Sequence, residues 1–350
     1  MKSGDLTAIS FNFHDMVGFK LLTGDSEAVQ FFLAEYQLHQ VDSISEGLPQ
    51  VILDFHRLDD KLPPGLIWHR HKALAKWSYF IKISPEKVMI DAYGNSLSVP
   101  MIHHMLVHPS LRYLASYQNI IMLHAGAVAY QGRSLVLTGK GGVGKTTITS
   151  LLLARGGPEW AAHADDYVFL TPQGESLAYL TRAHLYRNLL RPVPEIWHTL
   201  TFKEKINLEI LGWIRELSGE RIKWPVRVPL TRLWPGHRVI MRAVPAGLVV
   251  LQRNGGELLL LQKADSGKGL RDELLKVNFF EARHYLDLTR QCMPEDEWLA
   301  FDLGWRQRES QILERCIEKI PVYELLIPAG AKIRENSILF DLLARLAKPE

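Results

Sequence analysis

Apolar and polar positions alternate with a period of two over residues 6–13, the spacing of a half-buried strand. Over residues 26–36 the spacing lengthens to a helical one with Ser26 as the expected cap, and residues 51–55 form a short apolar run that reads as a strand. Residues 77–83 and 87–92 flank Ser84-Pro85-Glu86, the pattern of a hairpin. Gly, Asn, Ser and Pro then cluster at 94–100, which marks a linker. The expected organisation is an N-terminal α+β accessory domain over 1–97 and a second domain over 98–350.

In that second domain a helix is expected over 101–116, then strands over 120–130 and 134–138, a glycine-rich loop and a helix over 146–155. A short strand is expected at 167–170. Residues 247–252 and 257–262 bracket Asn254-Gly255-Gly256, which by local turn chemistry predicts a second hairpin. The C-terminal stretches 269–290, 295–318 and 337–347 carry helical spacing.

Composition narrows the class without naming it. Apolar residues make up 47% and charged residues 23% of 350, ordinary for a globular α/β protein and unlike a disordered chain. Lys and Arg number 41 against 38 Asp and Glu, a net +3, too even for a general nucleic-acid or membrane-surface coat. The longest apolar runs fall far below the ~20 residues of a spanning helix. Two cysteines, Cys292 and Cys316, read as reduced thiols, so a cytoplasmic location without membrane association is expected.

The chemistry concentrates at Gly139-Lys140-Gly141-Gly142-Val143-Gly144-Lys145-Thr146-Thr147, which fits G-x-x-x-x-G-K-[ST]. Glycines let backbone N–H groups turn toward phosphate oxygens, and the following helix presents its positive end to them. Lys145 is placed to neutralise β- and γ-phosphates, and the Thr146 hydroxyl to join a magnesium shell. About twenty residues on, Asp165-Asp166 precede an apolar strand. Adjacent strand residues face opposite ways, so one carboxylate could face a metal and the other an incoming hydroxyl. His124 lies in an apolar strand ahead of the loop; alone, such a histidine is more often a core residue.

These features, in this order, resemble the HPr serine kinase/phosphorylase family and its related kinases. The resemblance is carried by His124-Ala125-Gly126-Ala127-Val128, the loop, and Ala164-Asp165-Asp166-Tyr167-Val168. It implies a PEP-carboxykinase-like P-loop fold and transfer of the γ-phosphate of ATP, with Mg2+, to a hydroxyl, in the family a serine of a protein. It further implies Asp165 as general base, Asp166 as magnesium partner and His124 as an active-site histidine. The loop departs from the family's usual Ser-Gly-Ile-Gly-Lys-Ser-Glu, and the motifs tied to carrier-protein binding and phosphorolysis are not found. A peptide or small-molecule hydroxyl is therefore also open as acceptor. A rival resemblance links the loop to the ParA/MinD ATPase switches, where Lys140 would reach across a dimer. Homo-oligomerisation stays open, and nucleic acid is not the expected partner.

Two further groups complete the reading. Arg221, Lys223, Arg227, Arg232, Arg238 and Arg242 cluster with Trp224 and Trp234, read as a basic substrate lip or a solvated face, with no single arginine assigned to phosphate. His103, His104 and His108 lie on the expected helix and read as structural.

Overall fold

The computed structural model describes residues 6–58, 65–71, 74–222, 224–256, 259–265, 267–331 and 337–348, with the main chain alone for 68–71 and 337. The fold is mixed α/β. The chain forms two compact units, one built from 1–121 with 278–312, the other from 122–277 with 313–350. The linker composition near residue 97 thus lies inside the first unit rather than at its edge.

The first unit carries a seven-stranded mixed sheet. Strands Thr7–Phe13 and Val17–Thr23 pair antiparallel through a three-residue loop, His14 to Met16. His14 and Asp15 both take positive φ there, the mirror-image turn whose twist suits a hairpin. Gln50–Arg57 and Lys87–Gly94 add in parallel, and Ala75–Ile83 closes the expected hairpin on Lys87–Gly94. Helix Ser26–Glu35 starts as expected, but its capping side chain is Asp25, which accepts from the Ala28 N–H. Phe11, Phe13, Phe19, Phe32 and Tyr36 form a fully buried aromatic core.

The expected helix over 101–116 is helical over 99–117, with a single π-type turn at His103–Val107. Of its histidines, His103 is structural in its contacts, with the Tyr36 hydroxyl 2.7 Å from its Nε2, while His104 is exposed. Arg112 from the same helix is buried, donating to Glu309 and to the Asn278 carbonyl, with Phe279 and Trp305 on its faces at 4.6 and 5.0 Å. These contacts bind the late segment 278–312 into the first unit. A linear reading of composition has no access to such a return of the chain.

The second unit is built on a nine-stranded sheet. Strand Arg133–Thr138, buried over Ser134–Thr138, lies between Ile121–Tyr130 (antiparallel) and Arg242–Asn254 (parallel). Burial on both sides explains its unbroken apolar run. The hairpin expected around Asn254-Gly255-Gly256 does not form. Leu260–Lys263 is a strand, but Val322–Pro328 lies between it and Arg242–Asn254. A parallel partner of matching length displaces the local turn preference. The single helix expected over 269–290 is two, Lys268–Glu281 and Arg283–Arg290.

Helix Phe202–Leu217 has no counterpart among the expectations from sequence. Its signal is there to read: Thr201 and Glu204 make a reciprocal capping box. Strand Trp160–Ala164 and the ribbon Ala183–Leu185 with Val226–Val228 were likewise unassigned. Among the described residues no helix is long and apolar enough to cross a membrane.

Candidate functional site

The glycine-rich loop joins the buried strand Arg133–Thr138 to helix Lys145–Gly156. Gly139, at φ 144°, lies against the chain: a Cβ there would meet the Leu251 carbonyl oxygen at 2.6 Å. Only glycine satisfies both the dihedral and the approach. Gly142 and Gly144 also take positive φ. Val143 is buried in the core and anchors the loop, while Lys140, Gly141 and Gly142 are exposed at its crest. Lys145 is buried, and its Nζ donates to the Gly139 carbonyl at 2.8 Å. The ammonium is thus held inside the curve of the loop. Thr146 and Thr147 follow on the first turn of the helix, both half-buried.

The three motifs meet through strand Ile121–Tyr130. Ala125 pairs with Thr138, whose Oγ1 donates to the His124 carbonyl at 3.0 Å. On its other side the Ala125 N–H donates to the Asp166 carbonyl at 3.0 Å. Gly126 matters here as well: a Cβ would lie 3.1 Å from Thr149 Cγ2 and 3.2 Å from the Asp165 carbonyl oxygen. The missing side chain lets the loop's helix and the acidic pair close on one strand. His124 shares that face by alternation, and its ring packs on Tyr167 at 5.0 Å between centroids.

Asp165 and Asp166 occupy a bend between strands Trp160–Ala164 and Tyr167–Leu170. The expected alternation of faces does not hold in the bend. Both carboxylates instead reach one residue: the His184 main-chain N–H donates to Asp165 Oδ2 at 3.1 Å, and His184 Nδ1 lies 2.8 Å from Asp166 Oδ2. Asp165 is buried, whereas the Asp166 side chain is 30% exposed. Burial first, and then the neighbouring Asp166 charge, push the Asp165 carboxyl up to about 7; His184 and Lys145 oppose the shift.

His184 is set in turn by Arg227, whose Nε donates to His184 Nε2 at 3.2 Å. Arginine has no lone pair to offer, so Nε2 accepts and the ring proton sits on Nδ1, directed at Asp166. The two residues are cross-strand partners in the ribbon Ala183–Leu185 with Val226–Val228. Tyr186 lies in the same field: burial raises its hydroxyl, and Asp166 raises it further, while Arg215 and Arg227 lower it.

Of the basic segment, then, Arg227 enters the site. Arg232 serves helix Phe202–Leu217 through an ion pair with Glu204, Arg221, Arg238 and Arg242 are exposed, and Lys223 lies outside the described residues. His184 and Tyr186 carry no motif that would have found them.

The donor set suits a nucleotide with magnesium. Mg2+ takes hard oxygen ligands, usually one or two carboxylates completed by substrate phosphates and water. Thr146 and the carboxylates supply that chemistry, and Thr146 and Asp165 line one small cavity together with Thr149, Ala164 and Leu185. Among the described residues no three His, Cys, Asp or Glu form a ready metal cage. A metal held here would therefore depend on phosphate oxygens for the rest of its shell. No protein-family model matches the chain, and no curated protein matches it.

Proposed function

We propose that this protein is a kinase that transfers the γ-phosphate of ATP, with Mg2+, to a hydroxyl group, in the first instance a serine of a protein or peptide. The observation that carries the reading is the joining of a phosphate loop and an acidic pair, its Asp165 buried, by one strand, with Ala125 bonded toward both. The resemblance to HPr-kinase-like P-loop cores supports the same chemistry.

In this reading loop amides and Lys145 hold the β- and γ-phosphates, the ammonium exchanging the Gly139 carbonyl for phosphate oxygens. Thr146 and Asp166 would hold Mg2+, which when bound neutralises phosphate charge. His184, fixed by Arg227, keeps Asp166 oriented. Asp165 takes the proton of the acceptor hydroxyl as its oxygen bonds to the γ-phosphorus. The bond to the bridging oxygen breaks and ADP leaves. A carboxyl raised to about 7 is well matched to that proton transfer. His124, packed on Tyr167, lies on the strand face that meets the acidic pair and is assigned to the same site.

Asp165→Asn tests the role. Transfer is expected to fall by ~10²–10⁴, the usual worth of a general base, with nucleotide affinity by calorimetry within about twofold of wild type. Near-normal turnover in the variant would remove Asp165 from the mechanism.

A further inference from the structure

Helix Phe202–Leu217 turns an apolar stripe outward. Phe202, Ile206, Ile210, Trp213 and Leu217 are 79%, 42%, 51%, 58% and 83% exposed. Their spacings of four, four, three and four residues keep them within ~80° of the helix circumference at 100° per residue. The helix is otherwise well founded, with its capping box at one end and Leu208 and Gly212 buried on its inner face. The outward stripe is therefore not a sign of poor local structure.

Exposed singly, such residues would be unremarkable. Contiguous, they need a partner. A fully exposed aromatic presents about 150–250 Å², so Phe202 and Trp213 contribute roughly 250 Å² and the aliphatics bring the stripe to on the order of 500 Å². That is the upper range for the largest apolar patch of a monomer. Two such faces together reach the ~1,000 Å² that a biological interface should clear.

We infer that the stripe is the dimer interface of this protein, covered by the same helix of a second copy. The stripe is four turns long and one helix face wide, with a three-and-four spacing that interdigitates with itself. Crossing antiparallel near Ile210, the helices would set Phe202 against Leu217, Ile206 against Trp213 and Ile210 against its own copy. Each aromatic then meets an aliphatic side chain, whereas a parallel pair would stack Phe on Phe and Trp on Trp. Glu209 and Glu216, ion-paired to Arg187 at 3.4 and 3.7 Å, border one side of the stripe. The interface is self-complementary, as a two-fold dimer requires, and is independent of phosphoryl transfer.

Sedimentation velocity on the full chain from about 1 to 100 µM tests the inference. Wild type is expected to dimerise within that range. Ile210→Glu places two like charges at the symmetry axis and is expected to weaken the dimer at least ~100-fold, with thermal unfolding matching that of wild type diluted to monomer, because the residue faces solvent in the monomer. Leu217→Lys, at the helix end, is expected to weaken it less and serves if Ile210→Glu disturbs folding. An Ile206→Cys chain mixed with a Trp213→Cys chain should cross-link between the two types on oxidation. A wild type that stays monomeric throughout, or a dimer that both charge variants leave intact, overturns the inference. Cross-links confined to like chains overturn the antiparallel arrangement.

Discussion

In the first unit the Glu309 carboxylate is fully buried and ringed by donors; in the second, Asp165 is nearly as buried but has a second carboxylate beside it. Glu309 accepts from Arg112 Nε at 2.7 Å, Trp305 Nε1 at 3.0 Å and Asn278 Nδ2 at 3.3 Å, and Arg112 Nη2 closes a bidentate pair. Charge and hydrogen-bonding capacity are matched there, so the cluster fixes structure. At Asp165 burial and then the Asp166 charge raise the carboxyl to about 7, and the His184 main-chain N–H and Lys145 only partly offset them. Two burials of similar depth thus give a closed ion pair in one place and a proton-holding group in the other. At similar burial the difference lies in the sign of the neighbouring charge, and it separates a structural cluster from the one proposed to carry the chemistry.

The largest expected break comes from opening the closed cluster. Glu309→Ala leaves the Arg112 guanidinium buried without its partner and should cost the first unit about 3–5 kcal/mol. Denaturant unfolding would report this; a loss below about 1 kcal/mol would mean that the pair is not sealed. Phosphoryl transfer, measured where the variant stays folded, should persist.

The proposed catalytic cluster should answer differently. His184→Ala removes the Nδ1–H that orients Asp166 and should raise the Mg2+ concentration needed for half-maximal nucleotide binding by about 10–100-fold. His184→Asn can return a donor to that position and should recover part of the loss, while both variants keep the main-chain N–H on Asp165. A role confined to packing would affect stability alike in both and leave the metal requirement unmoved.

A further effect is on stability with pH. Asp165 binds its proton more tightly folded than unfolded, with its value raised from 3.8 to about 7. Its contribution to stability is full below the unfolded value and is lost as pH rises through the folded one. Nucleotide-free wild type should therefore lose thermal stability relative to Asp165→Asn between pH 4 and 7, by about 2–4 °C for each kcal/mol lost. Parallel curves for the two proteins would contradict the raised value.

The contrast also explains what could be read from sequence. The loop and Asp165-Asp166 were legible because their chemistry is contiguous, and their order along the chain placed them near one another. His184 and Arg227 were not, since a short ribbon joins them across 43 residues and neither belongs to a local motif. Arg112 and Glu309 meet across 197 residues for the same reason. The hairpin at Asn254-Gly255-Gly256 failed in the opposite way: a sound local turn signal yielded to strand Val322–Pro328, which pairs with seven residues of Arg242–Asn254. Helix Phe202–Leu217 was readable from its capping box, but its apolar stripe would have been taken for the core-facing side.

The most direct test of the central claim is the fate of the γ-phosphate. Wild type and Asp165→Asn would be incubated with γ-labelled ATP and Mg2+, using a cell extract and its peptide fraction as acceptors. The account predicts label as a phosphoester on a discrete acceptor, lost in the variant. Label released only as inorganic phosphate, at a rate rising with protein concentration, would contradict it and identify a nucleotide-driven switch instead.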